Sequence, residues 1–272
     1  MADFWNPVFD SLHPCFRQLQ NIRCWQEQAE WPEVEMLTRL LPAGLCAQSG
    51  QPIRFLPQDG TLPFPELYYE ERIFQHGIVA TRPNWHDFFN ALMWALYPQT
   101  KVMVNALHAT DIMRHGQPRT SQRDALTVLD ESGVVVAASR RDLLQLALDF
   151  SWEALFWQER AAWRREIACF VLGHATLEKL LTPYVGLTAH ALLVAVEPAF
   201  FGLALAQQQA YLDGVMAASL QQGGLLSPAG LNPFPLLGVP GWWANDAPAF
   251  YHNERYFRAK TRERKAQIIA AY

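Results

Sequence analysis

The sequence predicts a mostly helical α+β protein: a single domain, residues 1–272, with a small antiparallel sheet or hairpin. Apolar residues recur at helical spacing through most of the chain, whereas one segment, residues 124–138, has the alternation and β-branched content of a hairpin. Half of the residues are hydrophobic and ten are Trp, which is typical of a compact globular protein and excludes a disordered one.

Residues 1–66 are predicted to form helices and extended chain that cover the rest of the protein. A short amphipathic helix is expected to break near Pro14, and a second helix is expected from about Trp31 to Leu41, with Pro32 in its first turn. A short strand is expected at Ile53 to Leu56. The charged and aromatic residues 68–80 are interpreted as an extended arm with solvated charges.

Two consecutive helices are predicted at the centre of the chain. Asn84 is a good N-cap for the first, and Asp87 lies in its first turn, where the helix dipole favours a carboxylate. Pro98 should end this helix after Tyr97 and begin the next, which continues to about His115.

These two helices carry stripes of polar residues. His86 and Asn90 are four residues apart on the first helix, and Lys101, Asn105 and His108 share one face of the second. Helices joined at a proline can bring such stripes together in one pocket. One interpretation is a catalytic or metal-binding cluster, since imidazole and carboxylate groups bind zinc, iron and manganese. The other is a buried polar network that holds the helices, because the spacings match no established metal motif.

The segment after the second helix is predicted to be the hairpin, with its turn at Asp130 to Gly133. Asp130 and Glu131 are interpreted as turn residues, and a paired-carboxylate role for them and Asp124 is the alternative. A deeply buried helix should follow over residues 140–164. In the next apolar segment His174 and Glu178 are four residues apart, and they would share a face if the segment is helical. That pair is either part of a site or an ordinary surface pair.

The last third of the chain combines a helix with irregular segments. Residues 189–196 could be a strand or a buried helix, and residues 201–220 are predicted to be a helix. Three prolines in residues 233–246 argue against regular structure, and the aromatic content there predicts a segment that covers something, with Trp242 in it. Residues 259–272 are interpreted as a basic, solvated tail, with contact to an acidic partner or phosphate as the alternative.

Composition and missing motifs exclude several classes. The net charge of −4 gives no general reason to expect a nucleic-acid partner. Four cysteines without a paired motif indicate free thiols in a reducing compartment. The absence of a signal sequence and of a long apolar run predicts a soluble, cytoplasmic protein without a membrane partner. Nucleotide-binding glycine loops, the serine-hydrolase elbow and the kinase motifs are also missing.

Four groups of residues carry a resemblance to a known family. They are Trp85 to Leu92 with Tyr97, Pro98 and Lys101; Arg123 to Thr127 with Asp130 and Glu131; Gly173 to Ala175 with Glu178; and Leu237 to Trp242. On these motifs the chain resembles an uncharacterised bacterial family, the domain of unknown function DUF3025, with a family core over about residues 67–258. The resemblance implies a bacterial cytoplasmic protein and no particular activity.

Two functional hypotheses remain open. The first is an enzyme on a small polar substrate, hydrolase-like and either metal-assisted or metal-free, with the Trp242 segment as a lid. The second is a non-catalytic protein whose aromatic loops and basic tail bind a protein or nucleic acid. Convergence of the histidines in one pocket would favour the first, and an exposed Trp-rich patch the second. The candidate catalytic residues are His86, Asn90, Asn105, His108, Asp124, His174 and Glu178, and the candidate substrate-binding residues are Lys101, Arg123 and Trp242.

Overall fold

The structure is a computed structural model that describes residues 4–116, 118–261 and 265–271. Within these ranges helices and sheets occur together, so the predicted α+β class is confirmed. Arg262 and Arg264, two of the basic residues in the predicted C-terminal tail, lie outside the described residues. No helix among the described residues is both long and apolar enough to cross a membrane.

The N-terminal third contains short helices and a two-stranded parallel sheet. The expected strand is confirmed at residues 54–57, but the extended arm predicted over residues 68–80 is wrong. There, a helix buries Arg72, which donates to the carbonyls of Phe64 and Leu67, and Gly77 ends the helix with a φ of +68°. The elements are 3-10 helices Phe9–Ser11 and Pro14–Ile22, α1 (Val34–Arg39), β1 (Arg54–Pro57), α2 (Tyr69–His76) and β2 (Ile78–Thr81).

The two central helices are confirmed as α3 (Trp85–Leu96) and α4 (Pro98–His115). The side chain of Asn84 accepts a hydrogen bond from the backbone N–H of Asp87 at 2.8 Å, as the capping pattern predicts. Aromatic residues of α3 are buried against the N-terminal segment, where Trp5 packs on Trp85, and Phe9 and Phe16 pack on Phe89.

The predicted hairpin is wrong. Its first arm and turn form a helix, α5 (Ser121–Ser132), and only the second arm is a strand, β3 (Gly133–Ala138). Thr120 caps α5 by accepting from the N–H of Arg123 at 3.2 Å, and Leu126 and Leu129 are fully buried on its inner face. Tertiary burial therefore overrides the strand propensity of this segment.

The single long helix predicted over residues 140–164 is also wrong. It ends early as α6 (Arg141–Leu148), because Phe150 has a left-handed φ of +58°. A π-helical turn at Ala154–Gln158 and a 3-10 turn at Arg160–Ala162 follow. The next segment divides into β4 (Ile167–Val171) and α7 (His174–Lys179).

The main sheet is mixed and five-stranded among the described residues, which corrects the prediction of a small antiparallel sheet. Strand β3 pairs with β4 antiparallel and with the next strand parallel, and all six residues of β3 are buried. Residues 233–235 join an edge strand despite their prolines, and part of the predicted basic tail forms the last strand. The remaining strands and α-helix are β5 (Thr188–Ala195), α8 (Leu205–Gln221), β6 (Asn232–Pro235) and β7 (Ile268–Ala270). The strand order is β4-β3-β5, and β6 and β7 both pair with β5.

Candidate metal centre

Three helix ends meet beside the main sheet. His86 is the second residue of α3, Glu131 lies in the last turn of α5, and His174 is the first residue of α7. The approach of α7 to α5 depends on Gly173, where a Cβ atom would lie 2.5 Å from the carbonyl oxygen of Glu131 and 2.6 Å from the backbone nitrogen of Gly133. Glycine is therefore what lets His174 reach Glu131.

Replacing Gly173 with alanine should destabilise the protein by about 1–3 kcal/mol, since the added methyl group overlaps backbone rather than a flexible side chain. The φ of −70° at Gly173 suits any residue, so the cost is steric. Gly202→Ala is the matched control, because nothing lies within 4 Å of its Cβ position. Chemical denaturation of both variants measures the difference; equal stability would contradict the close approach.

The three side chains form a compact group. The Nε2 atoms of His86 and His174 are 3.1 Å apart, and the carboxylate oxygens of Glu131 lie 3.9 Å from His86 Nε2 and 3.6 Å from His174 Nε2. The three potential ligand atoms lie within 4.8 Å of one another. Two imidazoles bound to one tetrahedral zinc ion would have their nitrogens about 3.3 Å apart, given typical zinc–nitrogen bonds. The group therefore fits a divalent metal ion.

Each imidazole has a carboxylate behind it. Glu178 Oε2 lies 3.2 Å from His86 Nδ1, and Asp130 Oδ2 lies 3.8 Å from His174 Nδ1. An ionised carboxylate can only accept, so Glu178 favours the His86 tautomer with the proton on Nδ1 and the lone pair on Nε2. Asp130 lies too far from His174 Nδ1 for a hydrogen bond and acts on this ring through its charge. The lone pair of His86 Nε2 then faces His174 Nε2 across 3.1 Å, where either a bound cation or a proton on His174 Nε2 would meet it. Carboxylates that orient metal-bound histidines have this arrangement.

A buried network holds Asp130. The Lys101 ammonium, only 4% exposed, donates to Asp130 Oδ1 at 2.5 Å and to Asn90 Oδ1 at 2.8 Å. Asn90 Nδ2 in turn donates to the hydroxyl of Tyr69 at 2.8 Å. Burial by itself would raise the pKa of Asp130, but the charges of Lys101 and His174 outweigh it, so this pKa lies below its ordinary value.

Glu131 is also held in its ionised form. The close imidazole of His174 is the largest influence and lowers the pKa of Glu131; burial opposes it, while the charges of both histidines add to the lowering. A carboxylate ionised at neutral pH is the form that binds a metal ion.

A cavity of about 220 Å³ opens beside this group. Its size suits a small molecule, since sites for drug-sized ligands are larger. Four carboxylates line it, and Arg82 lies at the wall with its guanidinium on both oxygens of Asp87, at 2.9 and 3.2 Å. The lining residues are Gln58, Tyr69, Glu70, Ala80, Arg82, His86, Asp87, Asn90, His108, Thr127, Asp130, Glu131 and His174.

Several of the candidate residues predicted from the sequence meet at this cavity. His86, Asn90, His108 and His174 line it, and Glu178 reaches His86 from behind. Lys101 and Asn105 support the wall rather than line it. Lys101 donates to Asn90 and Asp130, as described above. Asn105 Nδ2 donates to the backbone carbonyl of Glu70 at 2.9 Å and to its side chain at 2.7 Å.

Three other candidates do not line the cavity. Asp124 forms a half-exposed ion pair with Arg119 at 2.9 Å. Arg123 approaches the carbonyls of Gly116 and Pro118 at 3.4 Å. Trp242 is buried elsewhere, where its ring packs on the His13 ring. The segment with Trp242 therefore does not cover the cavity, contrary to the expectation that it forms a lid.

Sequence patterns did not place Asp130 and Glu131 among the candidate site residues. The hairpin prediction makes them turn residues, with a carboxylate pair only as the alternative, and the predicted arm leaves Tyr69 and Glu70 in a mostly solvated segment. The missed signal is the spacing of Thr127, Asp130 and Glu131, which puts all three on one face once the segment is helical.

Comparison with curated proteins gave no significant match, and neither did comparison with solved structures. A family model does match, over residues 53–261, which is most of the chain and includes every residue of the candidate metal centre. The chain belongs to this family, described as "Protein of unknown function (DUF3025)".

Proposed function

We propose that the protein is a divalent-metal-dependent hydrolase of a small polar substrate, with His86, Glu131 and His174 as the metal ligands. The observation that carries the proposal is the arrangement of these three side chains, with ligand atoms within 4.8 Å of one another and a carboxylate behind each imidazole. A zinc ion held by these three residues would supply an activated water, because zinc lowers the pKa of bound water to about 7.

Two histidines and a carboxylate can hold zinc or iron, and hydrolysis also needs a group that takes a proton from water. Glu70 and Asp87 both line the cavity and could accept a proton from water. Arg82 occupies both oxygens of Asp87. Among the described residues, the carboxylate of Glu70 has only Asn105 Nδ2 as a hydrogen-bond partner, on Oε2. Glu70 is therefore the better general base.

The hydrolytic step balances with these residues alone. The water oxygen forms a bond to the electrophilic atom of the substrate, and one water proton passes to Glu70. The bond to the leaving group then breaks, and the protonated Glu70 gives this proton to the leaving group, which returns the carboxylate to its ionised form. Glu178 and Asp130 lie behind His86 and His174 and orient them.

The alternative, a non-catalytic protein that binds through aromatic loops, depends on an exposed aromatic surface. All ten tryptophans are buried or half-buried. The carboxylates around the cavity also disfavour a phosphate-rich partner such as nucleic acid. Both observations support the enzyme over the binding protein.

The proposal predicts turnover that depends on a metal ion and on Glu131. Protein stripped with a chelator should be inactive towards small chromogenic esters, amides and phosphates, and added zinc, manganese or cobalt should restore activity towards one class. Glu131→Gln should abolish that activity, since a neutral amide is a poor ligand for a divalent cation.

Glu153→Gln is the matched control, because this partly exposed carboxylate pairs with His252 and does not line the cavity. Activity that survives the chelator unchanged, or that Glu131→Gln leaves intact, would contradict the proposal.

A further inference from the structure

We propose that Tyr69 donates a hydrogen bond to the substrate, and that the substrate therefore presents a carbonyl or phosphoryl oxygen that gains negative charge as water attacks. This inference rests on the proposed hydrolase and assigns one more catalytic residue to the same site. It follows from the direction of the hydrogen bonds in the network behind the cavity.

The direction is fixed by Lys101. An ammonium group only donates, so the side-chain oxygen of Asn90 must face it, at 2.8 Å. The amide nitrogen of Asn90 then faces the hydroxyl of Tyr69, also at 2.8 Å. An amide nitrogen only donates as well, so the oxygen of Tyr69 accepts this bond and its proton remains for another partner.

That proton is available to the cavity. Among the residues that the structure describes, the hydroxyl of Tyr69 has Asn90 as its one hydrogen-bond partner, and Tyr69 lines the cavity. Burial, followed by the nearby charges of Glu70 and Asp130, raises the pKa of Tyr69 well above its ordinary value. The phenol therefore keeps its proton at neutral pH.

Lys101 also fixes the position of the Tyr69 hydroxyl relative to the metal ligands. Its ammonium binds Asn90, which holds Tyr69, and Asp130, which lies behind His174. A substrate oxygen between Tyr69 and the metal-binding group would thus meet a hydrogen-bond donor already in place. Removing one such donor for a developing oxyanion typically lowers kcat about 100- to 1000-fold.

The test uses cobalt(II), whose visible absorption reports the ligand geometry, and two probes with oxygen donors, acetohydroxamic acid and inorganic phosphate. The full chain would be loaded with cobalt as wild type and as Tyr69→Phe. Tyr68→Phe is the matched control, because Tyr68 is exposed and does not line the cavity. The expected result is an unchanged cobalt spectrum in all three proteins and affinity for at least one probe about tenfold or more weaker in Tyr69→Phe alone.

A second variant keeps the phenol and reverses the hydrogen bond. In Asn90→Asp the new carboxylate still accepts from Lys101, but it also accepts the proton of Tyr69, which then no longer points into the cavity. This variant should bind cobalt and should lose affinity for uncharged acetohydroxamic acid as Tyr69→Phe does. A purely structural role for Tyr69 predicts no such loss.

The outcomes separate the two proposals. Absence of cobalt binding by the wild type overturns the metal centre and the inference with it. Cobalt binding with equal probe affinity in wild type and Tyr69→Phe overturns the role of Tyr69 alone, and so does cobalt binding by a wild type that accepts neither probe. Loss of cobalt by Tyr69→Phe, with a lowered Tm, makes Tyr69 a structural residue.

Discussion

Replacing His86 or His174 with alanine should abolish stoichiometric metal binding. Each variant removes one of three protein ligands and leaves a site with a single imidazole and one carboxylate. Changes to residues behind metal ligands commonly weaken binding 10- to 100-fold, so loss of a ligand itself should cost at least about 100-fold. Elemental analysis of the purified proteins and a competition titration against a zinc chelator measure the effect.

Variants of two neighbouring residues serve as controls for this result. His108→Gln changes an imidazole that lines the same cavity but lies outside the three-residue group, and it should retain the metal. Glu178→Gln should weaken binding by an intermediate amount, because it removes only the carboxylate behind His86. If the wild-type protein has no affinity for divalent metals, the metal centre is contradicted. The 3.1 Å contact between the Nε2 atoms of His86 and His174 is then a hydrogen bond through a shared proton.

Replacing Lys101 with methionine should lower the free energy of unfolding by about 3–5 kcal/mol. The methionine fills similar space, but it leaves the carboxylate of Asp130 without its cation, and the side chain of Asp130 is only 18% exposed. Chemical denaturation at neutral pH measures the loss. Lys179→Met, on the exposed end of α7, is the control and should change stability by no more than about 0.5 kcal/mol.

The origin of this loss can be checked with pH and with a second substitution. The pKa of Asp130 is lowered, so its carboxylate stabilises the fold above an ordinary pKa of about 4, and that contribution is lost as the pH falls through the lowered value. Without Lys101 the ionised form is costly, so the deficit of Lys101→Met should shrink as the pH falls. Adding Asp130→Asn should also recover part of it. A deficit independent of both changes would make packing its cause.

Local sequence signals predicted the central helices because their causes are local. Asn84 supplies a cap three residues from its partner, and Pro98 separates α3 from α4 by fixing the backbone at one position. The same helical spacing placed His86, Asn90 and His108 on faces that the structure brings to one cavity.

The sheet depended on contacts that no local pattern encodes. Val134 pairs with Ala191 in the parallel ladder and with Val171 in the antiparallel one, so β3 is a strand because of residues far along the chain. A hairpin was the best local solution for residues 124–138, and long-range burial of Leu126 and Leu129 selected a helix for the first arm.

The sequence by itself placed His86 on a helix capped by Asn84 and spaced Glu178 four residues after His174. Only the tertiary structure decided that Glu131 joins these histidines and that Asp130 and Glu178 lie behind the imidazoles. The physical reason is the contact at Gly173, where the absence of a side chain lets two helix ends approach to a distance that spacing along the chain does not specify.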